Sequence, residues 1–500
     1  MTDQPATART VPTRLAGAPP AHPPAHPPTL LQGVEVDGRV YDVGIVGGAV
    51  RYIGDRGDQR AYEMVIDGRG GGLIPGLHDH HLHVLALAAA RASVSAGPPD
   101  VMSGAQLGMA LSDADRRLPP GTWLRAVAFH ESVVPSLDRD WLDRVVPDRP
   151  VRVQHRSGRQ WILNSRALEV CGLHSPASVP DASVDCDADG RLTGRITGAD
   201  TALRHLWTTG GSIADSVLRV SRELASYGIT GLTDATPFAG PEDMEPLIES
   251  ARVGALLQHL MVMGAPKLRP SASDVYPAAL GPAKLVIADD SIPSIEAIVD
   301  DILTARSLGR SVAVHCVTRI ALVLCLAALE ETGVVAGDRI EHGAIVDRGF
   351  ARQIARMGLL VVTQPNFVFE RGDNYLDEVE EADRPHLYPC GSLIAVGVGV
   401  AGSTDAPFGH PDPWRAMRAA TERRTASGKS IGSDERVSAH SALGLFLGTP
   451  TAPTGPSRRI AIGSSADVCL LHVPVAEALR SLSAGNVRAA WIQGRLVHGS

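Results

Sequence analysis

The densest chemistry in the chain lies in PGLHDHHLHV, Pro75–Val84, where four of the eighteen histidines, His78, His80, His81 and His83, fall within six positions. On a strand, residues two apart share a face. His81 and His83 therefore point together, and two imidazoles on one strand face form two corners of a divalent-metal site. A buried imidazole pair with nothing bound between them would be costly to desolvate. Three further polar residues end short apolar runs: His315 in SVAVHCV, His342 in RIEHGA and Asp405 in VAGSTDAP. Such nitrogen and carboxylate donors suit zinc or a similar ion.

Lys284 opens the run KLVIADD. Lysine is scarce here: of 47 basic residues only Lys267, Lys284 and Lys429 are lysines. A protonated lysine beside a dication would be repelled, whereas a buried, neutral one carbamylated by CO₂ becomes an anionic bridging ligand. Arginine stays protonated and has no such route. Weaker candidates surround these residues. His130 and Glu131 in AVAFHES and His155 in VQHRSG end strand-like pieces, and Asn366, Glu370, Arg371 and Tyr375 lie in QPNFVFERGDNY. All are candidates to line a substrate pocket, with Trp414 of PFGHPDPW at its rim. Asp79 is a candidate to orient a ligand histidine. His78 and His80 are read as supporting groups or as facing outer helices, and Cys316 as a small core residue.

These residues need elements to hold them. Eight short apolar segments read as strands: Leu73–His83, Ile229–Asp234, Leu256–Met263, Lys284–Ala288, Ser311–Val317, Arg339–His342, Leu359–Gln364 and Val398–Asp405. Amphipathic stretches such as Ser294–Leu308 and Ala321–Thr332 lie between them. That alternation predicts an α/β fold, a (β/α)₈ TIM-like barrel, whose sites form at the C-terminal ends of the strands. The predicted barrel spans 73–445 and carries a long insertion after strand one, about 85–228, with strand-like pieces at Trp123–Phe129 and Val151–His155. Residues 29–72 and 446–500 read as short strands with Gly and Asp turns. IAIGSSADVCLLHV and VRAAWIQGRLVHG are expected as two strand pairs. Neither end can hold a core alone, so a composite β-sandwich domain built from both ends is expected. Residues 1–28, with AHPPAHPP, read as a disordered Pro/Ala-rich tail. His22 and His26 in it are read as tail residues rather than ligands.

Composition excludes several classes. An apolar fraction of 44% and a charged fraction of 20% are globular values. A net charge of −8 argues against nucleic-acid partners. No apolar run reaches the ~18 residues of a membrane span; Ala321–Leu329 is among the longest. Six cysteines without a CxxC pair do not suggest a disulfide framework. No signal peptide is visible, and the expected location is cytoplasmic. The sequence carries no GxxxxGK[ST] phosphate loop and no GxSxG elbow. The glycine-rich GRGGGLIPG reads as the passage into the first barrel strand.

PGLHDHHLHV, HCVTR, RIEH and GSTDAP together resemble the metal-binding motifs of the amidohydrolase superfamily, and most closely the YtcJ-like, amidohydrolase-3 branch that includes N-substituted formamide deformylase. The resemblance covers nearly the whole chain after residue 30. It implies that His81, His83 and Asp405 bind one metal, that His315 and His342 bind a second, and that carbamylated Lys284 bridges them; members of the superfamily hold one ion or two, most often zinc. It implies hydrolysis of a small-molecule amide or related non-peptide C–N bond, with Asp405 as the catalytic proton carrier, and it admits a homo-oligomer. GRLTGRITGAD and HRSGRQW lack a glutamate and a histidine that the deformylase branch carries there, so a different pocket is expected. The rival readings are a cyclic-amide hydrolase or deaminase on the same site, or a catalytically silent barrel acting as a binding protein.

Overall fold

The computed structural model describes residues 26–178, 183–198, 212–269, 278–288 and 291–499. Most of the predicted tail, His22 included, lies outside them.

All the central strands run parallel, in two sheets. One has the order Ala278–Leu280, His259–Val262, Ile229–Asp234, Leu77–Leu82. The other has the order Ala283–Val286, Val312–Cys316, Arg339–His342, Leu360–Thr363, Gly399–Gly402. Their runs are apolar because both faces are covered: every residue of Ile229–Asp234 is buried. The expected fourth strand, Lys284–Ala288, is observed as Ala283–Val286, and Ala278–Leu280 is an additional short strand before it. Pro282 sits between the two and has no N–H to continue the ladder. Backbone bonds join the sheets at both margins. At one, the Asp405 amide donates to the His81 carbonyl at 2.9 Å and the His83 amide to the Ala406 carbonyl at 2.8 Å. At the other, the Lys284 amide donates to the Gly264 carbonyl at 2.8 Å.

Helices between the strands start where the sequence supplies a cap. Ser294 accepts from the Ala297 amide ahead of Ile295–Ser307, and Thr318 from the Ala321 amide ahead of Arg319–Thr332. Asp347 accepts two amides at the start of Arg348–Met357, and Gly358 closes that helix in the left-handed region.

The segment after the first central strand builds a separate six-stranded sheet that includes Leu124–Phe129, Val151–His155, Gln160–Leu163 and Leu192–Thr197. It has its own core around Leu107, Phe129, Leu142 and Val153. The strand-like pieces of the insertion therefore stand apart from the two parallel sheets.

Strands from the two chain ends interleave. Thr29–Val36, Arg39–Val46, Ala49–Gly54 and Met64–Asp67 form one sheet. Leu73–Pro75, Val468–Leu471, Val487–Ile492 and Arg495–His498 form another. One buried cluster serves both and joins Leu31, Val43 and Val50 to Val468, Leu470 and Trp491. Two sequence expectations need correction. Leu73–His83 is not one strand: Leu73–Pro75 pairs with Val468–Leu471, and only Leu77–Leu82 enters the parallel sheet. IAIG (460–463) forms no strand, because Gly463 and Ser464 turn there and bond with Val50 instead.

Trp491 is the largest fully buried side chain of the shared cluster. Trp491→Ala is expected to destabilise the unit by about 3–5 kcal/mol. The check is a denaturant titration; an unchanged midpoint would show that the two chain ends do not share one core.

Candidate active site

Six predicted side chains meet at one cavity of about 670 Å³: His81, His83, Lys284, His315, His342 and Asp405. They come from the C-terminal ends of three parallel strands (His81, His315 and His342), from the start of a fourth (Lys284), from the turn after a fifth (Asp405) and from the position immediately beyond the first (His83). One ligand atom each from His81, His83 and Asp405 lies within 4.8 Å of the others. Asp405 Oδ1 is 3.6 Å from His81 Nε2 and 3.4 Å from His83 Nε2. The His342 ring lies 4.8 Å from that of His81 and 4.3 Å from that of His315, between centroids. Lys284 Nζ is 3.3 Å from His81 Nε2.

The histidines are oriented from behind. His81 Nδ1 donates to the Glu341 carboxylate, which Arg339 also holds. A carboxylate accepts only, so the proton sits on Nδ1 and the Nε2 lone pair faces the cavity. His342 Nδ1 donates to Gln364 Oε1 at 2.9 Å, and Gln364 Nε2 in turn donates to Ser403 Oγ. His83 Nδ1 lies 3.0 Å from Thr236 Oγ1. Asp234 accepts the Val84 and Thr236 amides and so fixes the turns carrying this pair. Asp79 does not touch a histidine ring, as the sequence suggested; it accepts the His81 amide together with the Thr404 amide and hydroxyl. It thereby ties the His81 backbone to the loop bearing Asp405.

His342 and Asp405 have φ of 69° and 54°. Left-handed backbone costs a non-glycine residue about 1–2 kcal/mol and persists where the surroundings enforce it, often at functional sites. At His342 it also breaks strand alternation, so Glu341 and His342 both reach the His81 ring.

Burial dominates the electrostatics. It holds His81 and His342 well below the ordinary imidazole range and pushes His315 down to about 3, with the Lys284 charge adding to the effect. It lowers Lys284 to about 8, against the pull of Glu341 and Asp405. It raises Asp79 to about 7 despite three bonds to its carboxylate. The imidazoles are therefore neutral, as ligands must be. His342 Nε2 and Asp405 Oδ1 are buried without a hydrogen-bond partner.

Of the weaker candidates, His155, Arg371 and Tyr375 line the cavity, together with Glu131. His130 stands behind them, its ring 6.1 Å from that of His155. Asn366 does not line it: its amide is committed to the Thr404 carbonyl and Glu370. Trp414 is not at the rim, since it is buried and its indole N–H donates to the Tyr227 carbonyl; Phe408 of the same loop lines the cavity instead. His78 bonds Thr233, while both ring nitrogens of His80 are buried without a partner. Residues 155–160 and Thr197, from the two segments that depart from the deformylase pattern, form part of the wall. Sequence reasoning missed Glu341, Gln364, Thr236, Asp234 and Tyr388. Each but Tyr388 lies within or just beyond a strand end already recognised, and that position was the available signal.

A family model described as the amidohydrolase family matches residues 64–498, and the chain belongs to that family. Within it, the chain falls in the YtcJ-like branch. It is 25% identical over 470 residues to N-substituted formamide deformylase of Arthrobacter pascens, covering 82% of this chain and 85% of that one. It is 24% identical over 415 residues to the putative amidohydrolase YtcJ of Bacillus subtilis (strain 168), covering 75% and 78%. Among solved structures, an uncharacterized metal-dependent hydrolase from Pyrococcus horikoshii OT3 shares the fold, with a TM-score of 0.69 at 19% identity over 89% of this chain and 97% of that one.

Glu370, beside Asn366 and under the His410 amide, tests the electrostatics away from the ligand cluster. Burial raises it from 4.5 to about 7. A carboxyl raised on folding contributes stability that is intact below its unfolded pKa and is lost as pH rises through the folded one. Glu370→Gln removes that loss. Between about pH 5 and about pH 8 its stability relative to the parent is expected to rise by about 1–2 kcal/mol, read from thermal melts. A pH-independent difference would refute the assignment.

Proposed function

We propose that this hydrolase is metal-dependent and cleaves an amide-type, non-peptide C–N bond of a small molecule, on a (β/α)₈ barrel with a composite β-domain from residues 29–72 and 446–500. The observation that carries the reading is the convergence of four imidazoles, Lys284 and Asp405 on one cavity, with His342 Nε2 and Asp405 Oδ1 buried and partnerless. Buried polar atoms are normally satisfied, so such orphans call for an explanation such as a missing ion. Separations of 3.4 and 3.6 Å between Asp405 and the two histidine nitrogens support a shared ligand rather than direct bonds. The barrel reading is supported by the backbone bonds that link the parallel sheets at both margins.

In this assignment His81, His83 and Asp405 hold one ion, and His315 and His342 hold a second. Lys284 is buried against His81 and its pKa of about 8 leaves a usable fraction of neutral amine. That amine would add CO₂ and lose a proton, and the resulting carbamate would supply a further anionic ligand. A bound divalent ion, zinc in this reading, lowers the pKa of water from about 15.7 towards 7 and polarises a carbonyl.

The protein groups do the rest. Asp405 would take a proton from the attacking water and deliver it to the departing nitrogen, a transfer worth about 10²–10⁴-fold. Its left-handed backbone and the Asp79–Thr404 tie keep that carboxylate aimed at the cavity. Glu341, Gln364 and Thr236 hold the histidine rings in place and keep the tautomer with an open Nε2.

Metal content by elemental mass spectrometry is expected to give one to two zinc-like ions per chain, lost in His81→Ala/His83→Ala. No binding after zinc, manganese or iron with bicarbonate would overturn the reading. Glu341→Gln leaves the six cavity residues in place but removes the charge that holds the His81 tautomer and pairs with Arg339; in the fraction that stays folded by thermal melt, it is expected to weaken metal binding or amide turnover about 10–100-fold. A chelator competition and a rate assay check it.

A further inference from the structure

The cavity wall is charged unevenly. It carries Arg156, Arg159 and Arg371 against Glu131, with Lys284 and Asp405 given to the ion site. Several of these have visible partners. Glu131 accepts from His155 at 3.1 Å, and Arg156 donates to Asn374 at 3.1 Å and lies 3.5 Å from Glu378. Arg371 differs. Its Nη2 donates to the Phe408 carbonyl at 2.6 Å and its guanidinium stacks 4.2 Å over the Phe367 ring. It pairs with no carboxylate among the described residues, and its other N–H groups find no acceptor among them. Arg371 is half-buried, and the carboxylates whose charge reaches it, Asp405 and Glu370, stand outside ion-pair distance.

Beside it stand two phenols. The Tyr375 and Tyr388 hydroxyls are 3.4 Å apart and the rings are stacked, 6.1 Å between centroids. Of their two hydroxyl hydrogens one serves the mutual bond, and the other is left to donate. Tyr388 is buried in the left-handed region, φ 44°, with its backbone pinned by the Ala344 carbonyl and Arg423. Such a conformation persists only where the surroundings impose it. The stack on Phe367 presents the guanidinium edge, the part that pairs with a planar carboxylate through two parallel bonds.

We propose that Arg371, with the Tyr375–Tyr388 hydroxyl pair, is a subsite for a carboxylate on the substrate, so that the enzyme acts on carboxylate-bearing amides such as N-acyl amino acids. This rests on the hydrolase reading, in which Asp405 is engaged with the ion and Arg371 is left without a carboxylate in direct contact among the described residues. The polar wall orients the substrate by its anionic end, and the Asp405 cluster meets the amide.

The test uses the metal-loaded full-length enzyme and a panel of N-formyl and N-acetyl amines, each beside the amino-acid derivative that differs only by a carboxylate. The readout is the preference ratio in kcat/KM. The parent is expected to favour the carboxylate by on the order of 10²-fold, mainly through KM, and Arg371→Met to bring the ratio close to one. Arg371→Lys keeps the charge without the fork and retains part of the preference. Tyr375→Phe lowers it several-fold. A parent ratio at or below one, or a ratio that survives Arg371→Met in a folded protein, overturns the proposal; if Arg371→Met does not fold, the same criterion falls on Arg371→Lys and Tyr375→Phe.

If no member of the panel is turned over, the failure belongs to the hydrolase reading, and binding decides the subsite. Calorimetry then compares 3-phenylpropionate with 3-phenylpropanamide. Carboxylate binding at least about tenfold tighter, lost in Arg371→Met, supports the subsite; equal binding overturns it.

Discussion

The structure depends most on the junction between the strand Leu77–Leu82 and the turn at Asp405. Two backbone bonds cross it, and Asp79 adds three more to the His81 amide and to Thr404. All of them but the Asp79–His81 bond join residues more than three hundred positions apart. Loop-closure entropy grows only logarithmically with length, so the separation itself costs little more than a much shorter loop would. The larger cost is burial of Asp79, whose carboxyl is raised to about 7. The benefit is positional: His81, His83 and Asp405 are brought within 4.8 Å of one another without any of them having to bond to the others.

The same economy runs through the interior. Arg339 and Glu341 are both fully buried, and each would be expensive there alone. Paired, they leave one carboxylate oxygen for His81. A lone buried arginine or glutamate on one strand would destabilise the fold; together they fix a tautomer. The strain at His342 serves a related end, since a regular strand would send Glu341 and His342 to opposite faces.

Much of this was legible in the sequence. The HxH spacing, the three strand-end ligands and Lys284 could be read because each interrupts an apolar run, and such interruptions are rare unless they do chemistry. All eight expected strands overlap an observed one, because parallel strands buried on both faces leave a strong apolar signal. The supporting groups were harder to read. Gln364 and Thr236 are ordinary polar residues at strand ends, and only the fold shows which ring each meets. Asn366 and Trp414 were misjudged for a physical reason: a loop residue's direction depends on packing across the structure, and both side chains are held by distant backbone carbonyls. Splitting Leu73–His83 required knowing that Val468–Leu471 would claim its first three residues.

The interleaved chain ends carry a consequence for biosynthesis. Leu31, Val43 and Val50 are made about four hundred residues ahead of their packing partners Val468, Leu470 and Trp491. At about 5–20 residues per second, the first strands wait tens of seconds with their apolar face and open edges unsatisfied. The insertion, with a core drawn from one contiguous stretch, is free to fold during that interval. The shared core therefore closes only after the whole intervening stretch has been made. The nascent N-terminal strands are the stretch that most needs shielding, by a chaperone or by rapid synthesis, before the C-terminus arrives to cover them.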